Sequence, residues 1–273
     1  MNSSAKLGIV QGRLTQSPPG CLQWFPQKEW PDEFRIAADI GIDFIELIAE
    51  TDYNHDNPIW NDYGIDKLKK LVKKNNLDLY ILCNDFIINH CFLEKDVIDQ
   101  NLYLLEQSRK LGIKKFVMPF FEMSEIDQEN MHKYVDPIKR VAEFAADNNI
   151  LLCLETILNG KDLIDFLKLI NMENVKVVFD TGNRVVYKHN LVSDIKLLNN
   201  LIAHIHIKDK NINGENVLLG TGLVNFEEVF DALKAISYKG AFTFETTRGK
   251  NPINTAQYNV NLVKFFKNNA ENN

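Results

Sequence analysis

The chain has 273 residues and a formal net charge of −6, with 45% hydrophobic and 25% charged residues. This length suits one barrel domain or two smaller domains, and the composition is ordinary for a globular protein with a sizeable core. The acidic charge argues against nucleic acid as a partner, because proteins that bind phosphate backbones usually carry a basic stripe. A small anionic substrate is compatible with this charge, since it needs only a local cluster of cations.

The sequence carries no signal for export or for membrane insertion. Its first residues, Met1–Lys6, lead directly into an apolar run and lack the apolar segment of a secretory signal. No stretch approaches the roughly 18 apolar residues that a membrane helix requires. The four cysteines have neither CxxC pairing nor the spacing of a disulfide framework. We therefore expect a cytoplasmic protein without a membrane partner.

Eight apolar runs alternate with amphipathic segments along the whole chain. Several runs are almost continuously apolar or β-branched, which is typical of strands buried on both faces of a parallel sheet. Helical periodicity with cap signals marks residues 30–40, 65–75, 97–111 and 226–237. No linker divides the chain, so we predict a single (β/α)8 TIM barrel that forms one domain over residues 1–273. The predicted strands are Leu7–Gln11, Phe44–Ile48, Leu79–Cys83, Lys115–Pro119, Leu151–Glu155, Val175–Asp180, Ala203–Lys208 and Ala241–Glu245.

Long loops follow the first two predicted strands, at Gly12–Lys28 and Glu50–Gly64. Both loops contain tryptophan, proline and other aromatic residues, and both should lie on the catalytic face of a barrel. This composition suits a lid over a small pocket. Ordinary packed surface loops fit the sequence equally well.

Four strands in the second half of the chain each carry a potential metal ligand at or near the end. Glu155, Asp180 and Glu245 close their apolar runs, and His206 lies near the end of Ala203–Lys208. The carboxyl ends of parallel strands form the rim where barrel enzymes place their active sites. Each residue alone is more often a cap or a surface charge, and Asp180 also fits the start of a turn. Their repetition at successive strand ends is hard to explain by packing.

Uncharged residues precede the three carboxylates on the same strand faces. Residues two apart point the same way, so Cys153, Val178 and Thr243 would lie one step deeper in the barrel. Three converging carboxylates repel one another unless a cation neutralises them. One divalent metal ion bound by three carboxylates and an imidazole resolves this conflict. We expect Mn²⁺, with Mg²⁺, Co²⁺ and Zn²⁺ as alternatives, because the ligand set is rich in oxygen.

Short motifs surround these residues, and a further motif lies near the start of the chain. The motifs are Gly8–Leu14, Leu154-Glu155-Thr156, Phe179-Asp180-Thr181-Gly182-Asn183, His206-Ile207-Lys208-Asp209, Gly220-Thr221-Gly222 with Phe226, and Phe244-Glu245-Thr246. As a set they resemble the sugar phosphate isomerase/epimerase branch of the xylose isomerase-like TIM-barrel superfamily. The resemblance covers essentially the whole chain and is not specific for a substrate.

The resemblance implies a metal-dependent isomerase or epimerase of a small ketose or ketose phosphate. Its metal would be held by Glu155, Asp180, His206 and Glu245, and the two glutamates would also act as acid/base groups. In related ketose 3-epimerases, one glutamate removes the proton on the carbon beside the carbonyl. The metal stabilises the cis-enediolate, and the opposite glutamate returns a proton.

One departure from the free-sugar epimerases affects the expected substrate. Those enzymes carry a histidine three residues after the aspartate ligand, where this chain has Asn183. The resulting motif is closer to pentulose-5-phosphate 3-epimerases and favours an anionic substrate. The candidate anion-binding groups are Arg13, Lys208, Arg248 and the amides near Gly220–Gly222. Lys208 and Arg248 fit solvated rim cations equally well. Further candidate substrate contacts are Asn84, His90, Glu122 and Asn183.

Three other functions remain open from the sequence. A lyase or dehydratase of a small polyol-like acid would use the same metal and the same first proton abstraction. An apurinic-site endonuclease would share the barrel. It would, however, be expected to have a three-metal site with many more His and Asp ligands, and this chain has six histidines in all. A barrel without activity could bind a sugar or a partner. Related barrels often form dimers, so a homodimer is a further expectation.

Overall fold

The computed structural model describes residues 5–272 and confirms the predicted (β/α)8 TIM barrel. Eight strands follow one another in chain order around a single closed sheet, and the strand pairs described are parallel. The predicted strands are confirmed, with small shifts at their ends. The strands are β1 Leu7–Val10, β2 Phe44–Ala49, β3 Ile81–Asn84, β4 Lys115–Phe120, β5 Leu151–Thr156, β6 Val175–Asp180, β7 Ile202–Ile207 and β8 Phe242–Phe244.

The helices that separate these strands include more segments than the sequence predicted. Four of them, α1, α2, α4 and α9, correspond to the predicted helical segments. The helices are α1 Trp30–Asp39, α2 Asp62–Asn75, α3 Phe86–Asn89, α4 Lys95–Leu111, α5 Met131–Asp147, α6 Gly160–Ile170, α7 Thr181–Val186, α8 Leu191–Leu198, α9 Phe226–Ala235 and α10 Pro252–Asn272.

Local cap chemistry fixes several helix ends. The side chain of Asn225 accepts a hydrogen bond from the backbone N–H of Glu228 at 3.3 Å, which confirms the predicted start of α9. Gly112 ends α4 with a φ of 76°, as predicted from its position after an apolar helix. At α1 the C-cap residue is Ile40, and Gly41 follows it with a φ of 78°.

The layer beneath the predicted ligands is uncharged and buried. Cys153, Val178 and Thr243 are each no more than 1% exposed. His204 is fully buried, and its Nε2 lies 2.9 Å from the hydroxyl of Thr243. The carboxylates predicted as ligands therefore lie toward the carboxyl ends of their strands.

The chain divides into two compact units. The first comprises Met1–Phe44 with Phe179–Asn273 and contains β1, β7 and β8, and the second is Ile45–Val178 and contains β3, β4 and β5. That residues 1–273 form one domain stays a prediction, and residues 1–4 and 273 lie outside the described part. Within residues 5–272, no helix combines the length and apolar character needed to cross a membrane.

Candidate active site

Three of the four predicted ligands meet at the ends of β6, β7 and β8. Asp180 is the last residue of β6, His206 lies on β7, and Glu245 directly follows β8. All three are buried, with exposures of 1%, 2% and 7%. The His206 Nδ1 atom lies 3.2 Å from Glu245 Oε2 and 4.0 Å from Asp180 Oδ2. These atoms are close enough to bind a single small cation.

The two carboxylate oxygens of Asp180 have different partners, one at the start of helix α7 and the other in the candidate site. Its Oδ1 accepts a hydrogen bond from the backbone N–H of Asn183 at 2.5 Å, so the residue caps the short helix α7. Its Oδ2 faces His206 and Lys208. The sequence also allowed a turn at Asp180, and the structure has the start of a helix there. The hydrogen bond to Oδ1 fixes the carboxylate and thereby orients Oδ2.

Lys208 is a buried cation within this cluster. Its Nζ lies 3.1 Å from Asp180 Oδ2 and 2.8 Å from Glu245 Oε2, and the residue is 3% exposed. The alternative of a solvated rim cation is therefore wrong for Lys208. Its ammonium group balances carboxylate charge that would otherwise be costly to bury.

The ionisation of Glu245 follows from its surroundings. Burial alone would raise its pKa, but Lys208, a hydrogen bond with His206, and Arg13 outweigh burial and hold the pKa of Glu245 well below its usual value. Glu245 is therefore a carboxylate at neutral pH, which is the state required of a metal ligand or a base.

Glu155, the fourth predicted ligand, is a buried residue of β5. Among Asp180, His206 and Glu245, one ligand atom of each lies within 4.8 Å of the others; that Glu155 completes this set stays a prediction. Three carboxylates and one imidazole form a donor set that suits a divalent cation. Lys208 supplies one positive charge against the two buried carboxylates of Asp180 and Glu245, so their charge is only partly balanced. The residues therefore fit a divalent metal, while its identity and their catalytic roles stay predictions.

The two candidate anion-binding arginines lie inside the protein rather than at an open rim. Arg248, which is 8% exposed, donates to the carbonyls of Gly12, Cys21 and Leu22. Arg13, which is 2% exposed, donates to the carbonyl of Leu22 and to Gln23. The solvated alternative is wrong for Arg248 as well. Both guanidinium groups hold the loop after β1, and a role in substrate binding stays a prediction for them.

The predicted anion site at Gly220–Gly222 is wrong, because a buried carboxylate already uses its amides. Asp209 accepts hydrogen bonds from the backbone N–H groups of Gly220 at 2.9 Å, Gly222 at 2.8 Å and Val224 at 3.1 Å. A Cβ atom on Gly222 would lie 2.3 Å from Asp209 Oδ1, so this approach requires glycine. Asp209 thus organises the loop after β7 from within.

We expect Asp209→Ala to lower the free energy of unfolding by about 2–3 kcal/mol, since it leaves three backbone N–H groups without their acceptor, that of Val224 in a buried position. Urea unfolding followed by circular dichroism measures this change. Asn213→Ala, at an exposed position in the same loop, is the matched control and should stay within about 0.5 kcal/mol of wild type. Equal stability of the two variants would show that Asp209 does not organise the loop.

The other predicted substrate contacts occupy varied environments. Asn84 is fully buried, and its Nδ2 donates to Asn101 at 2.8 Å, while its Oδ1 has no hydrogen-bond partner within residues 5–272. His90 stacks on Phe86 with ring centroids 3.9 Å apart. Glu122 is exposed and has a φ of 49°, an uncommon backbone conformation for a residue other than glycine. Asn183 is half-buried beside Asp180. Their contact with a substrate stays a prediction.

Two polar residues near the site were not predicted from the sequence. Gln23 lies in the loop after β1, and its Nε2 is 3.4 Å from Glu245 Oε1. Glu33, on α1, accepts hydrogen bonds from the N–H groups of Gly12 and Leu14 at 3.0 and 3.1 Å. The sequence analysis singled out the loop after β1 as a whole, but neither Gln23 nor Glu33, because neither residue belongs to a motif.

Burial raises the pKa of Glu33 to about 7, although backbone hydrogen bonds and two arginines oppose the shift. The folded state thus holds this proton more tightly than the unfolded chain, so stability falls as pH rises from about 4.5 to about 7. Between pH 4.5 and 8, wild type should lose about 3 kcal/mol more than Glu33→Gln. Urea unfolding at both pH values measures this difference. Parallel stability profiles would contradict the shifted pKa.

Comparison with known proteins identifies the family of this barrel. A family model described as xylose isomerase-like TIM barrel matches residues 34–267. The chain belongs to this family. The likeness to solved structures agrees with this fold: the IOLI protein, solved with a binding zinc atom, superposes with a TM-score of 0.74 at 18% identity, over 96% of this chain and 99% of that chain. At this identity the likeness shows the fold alone.

Relatives of this xylose isomerase-like barrel include 3-epimerases of a sugar and of a sugar phosphate. The putative L-ribulose-5-phosphate 3-epimerase SgbU of Escherichia coli is 22% identical over 248 residues, which are 82% of this chain and 86% of that protein. The L-ribulose 3-epimerase of a Methylomonas species is 30% identical over 127 residues, or 44% of this chain. That match spans 43% of the Methylomonas enzyme.

Proposed function

We propose that this protein is a divalent-metal-dependent epimerase or isomerase of a small ketose or ketose phosphate. The observation that carries the proposal is the buried cluster of Asp180, His206 and Glu245, whose ligand atoms lie within 4.8 Å of one another. We propose Glu155 as the fourth ligand. The similarity to sugar and sugar-phosphate 3-epimerases supports the same reaction class. Mn²⁺ is the metal that we propose first, since the donors are mainly oxygen.

The proposed reaction begins with removal of the proton on the carbon beside the substrate carbonyl. Such a proton is too weakly acidic for a carboxylate in water to remove at a useful rate. The bound cation supplies Lewis-acid stabilisation of the negative charge that develops on the substrate oxygen, an effect of several kcal/mol. Glu155 and Glu245 take the two proton-transfer roles, one as base and the other as acid. Transfer from opposite sides inverts the carbon, and transfer between neighbouring carbons isomerises the sugar.

Other residues of the cluster orient these groups. Asp180 is fixed by its bond to the N–H of Asn183, and His206 packs against both Asp180 and Glu245. Lys208 contacts carboxylate oxygens of Asp180 and Glu245 that would also hold the cation. Its ammonium group could also donate a hydrogen bond to a substrate oxygen and thereby align the carbonyl.

One observation favours a phosphorylated substrate and another favours an unphosphorylated one. Asn183 favours a phosphorylated pentulose through the motif that it completes. Arg13 and Arg248 already donate hydrogen bonds to loop carbonyls and to Gln23, which favours an uncharged sugar. Each ketose should therefore be assayed beside its own phosphate.

Proton exchange with deuterated water tests the proposal directly. Metal-free protein is incubated with ketoses and ketose phosphates, with Mn²⁺, Co²⁺ and Mg²⁺ added in parallel, and NMR follows the C–H signals. We expect deuterium to enter one carbon beside the carbonyl, only with added metal, and to appear in the epimer or isomer. No exchange across the whole panel would refute the proposal, and a dehydrated product would indicate the lyase instead. The comparisons favour neither the lyase nor the endonuclease.

A further inference from the structure

Gln23 connects the loop after β1 to a carboxylate of the proposed active site. Its Nε2 lies 3.4 Å from Glu245 Oε1, and its Oε1 accepts a hydrogen bond from Arg13 Nη2 at 2.6 Å. We propose that Gln23 is a positioning residue that holds the Glu245 carboxylate in its working orientation. This inference rests on the proposed function, since it assumes that Glu245 binds metal and transfers a proton.

The two oxygens of Glu245 have different partners. Oε2 lies 2.8 Å from Lys208 Nζ and 3.2 Å from His206 Nδ1. Oε1 faces Gln23, with Arg13 Nη2 at 3.7 Å. The terminal torsion of a glutamate is broad, so contacts to one oxygen alone leave the carboxylate plane poorly defined. A donor on Oε1 restricts this rotation and directs Oε2 toward His206 and Lys208.

Gln23 can serve this purpose because buried groups fix the backbone on which it lies. Arg248 donates to the carbonyl of Leu22, the residue before Gln23, at 2.8 Å and to the carbonyl of Gly12 at 2.8 Å. Glu33 binds the N–H groups at the start of the same loop. A rigid support of this kind is what a precisely placed contact requires.

The two ends of the loop also touch each other. Gly12 has a φ of 83°, and a Cβ atom there would lie 1.8 Å from the carbonyl oxygen of Trp24. Gly12 and Trp24 are thus held in direct contact, on either side of the segment that Arg13 and Arg248 bind. Gln23, next to Trp24, is therefore fixed before any substrate arrives.

Two substitutions separate a positioning role from simple support of the loop. Gln23→Glu keeps the side-chain length and the acceptor for Arg13 but removes the donor to Glu245. Gln23→Met keeps the approximate volume and removes both contacts. Gln16→Ala is the matched control, because Gln16 also tethers this loop, through the carbonyl of Lys250, at an exposed position away from Glu245.

The readouts are Mn²⁺ affinity of metal-free protein, and kcat and KM for the ketose that wild type turns over. We expect both Gln23 variants to lose about 10–100-fold in kcat or Mn²⁺ affinity, with KM nearly unchanged, as is usual when partners of a metal ligand are removed. Gln16→Ala should match wild type in every readout. Circular dichroism confirms that each variant is folded.

Two outcomes would overturn the inference. If Gln23→Glu retains wild-type kcat and Mn²⁺ affinity, the residue acts only through Arg13 as a loop support. If Gln23→Met behaves like Gln16→Ala, Gln23 has no role at the site. Wild type that neither binds Mn²⁺ nor turns over any ketose would instead refute the proposed function, and this inference with it.

Discussion

Glu155→Gln and Glu245→Gln are each expected to reduce turnover by about 10³-fold or more, because glutamine has the same shape but cannot accept or return a proton. Both glutamates are buried, and Glu245 is ionised at neutral pH. The measurement is the initial rate of C–H exchange and product formation at saturating Mn²⁺. Saturation separates loss of proton transfer from a loss of metal affinity.

A matched substitution shows whether this loss is local. Glu227→Gln makes the same chemical change at an exposed position in the first turn of α9 and should leave the rate unchanged. Circular dichroism and thermal unfolding should show that all three variants keep the fold. A near wild-type rate in either Glu155→Gln or Glu245→Gln would remove that residue from the proton-transfer mechanism.

Lys208→Met is expected to destabilise the metal-free protein by about 3–5 kcal/mol, because it removes the cation from a buried group of carboxylates. Asp180 Oδ2 and Glu245 Oε2 both lie within 3.1 Å of the Lys208 ammonium and would then repel each other. Added Mn²⁺ should restore more stability to Lys208→Met than to wild type, since the ion no longer competes with the ammonium group. Urea unfolding with and without Mn²⁺ measures both effects.

The control for this prediction is Lys234→Met, which removes a lysine from an exposed position on α9. Its stability should stay within about 0.5 kcal/mol of wild type, with and without Mn²⁺. If metal-free Lys208→Met were as stable as the control, the buried charges would not depend on this lysine. If Mn²⁺ stabilised wild type more than Lys208→Met, the ion and the ammonium would not compete for one place.

The sequence predicted the barrel and the proximity of Asp180, His206 and Glu245 because one regular pattern generates both. Apolar strands of a parallel sheet end at a common rim, so residues at successive strand ends become neighbours. Asp180, His206 and Glu245 follow this rule on β6, β7 and β8. The same alternation placed Val178 and Thr243 beneath them.

Residues whose positions depend on loops could not be predicted in this way. Gln23 and Glu245 are 222 positions apart, and their contact requires the path of the loop after β1. Arginines are mostly exposed in proteins, so nothing local indicated that Arg13 and Arg248 would be buried by loop carbonyls. Asp209 similarly binds amides that follow it by more than ten residues.

Helix prediction failed where local signals conflict with the fold. The long helix α5 contains Pro137, which removes a backbone donor from the helix interior. At the start of α7, the sequence of Asp180 and its followers is typical of both turns and helix caps. Packing against the barrel decides such cases, and it is not visible in a short window of sequence.

Mn²⁺ titration of metal-free wild type and of four single variants tests the central claim most directly. The variants are Glu155→Gln, Asp180→Asn, His206→Gln and Glu245→Gln. We predict one Mn²⁺ ion per wild-type chain and a loss of affinity of at least about 10-fold in every variant, because each residue supplies one ligand to the same ion. A folded variant that binds Mn²⁺ as tightly as wild type would contradict a site shared by all four side chains.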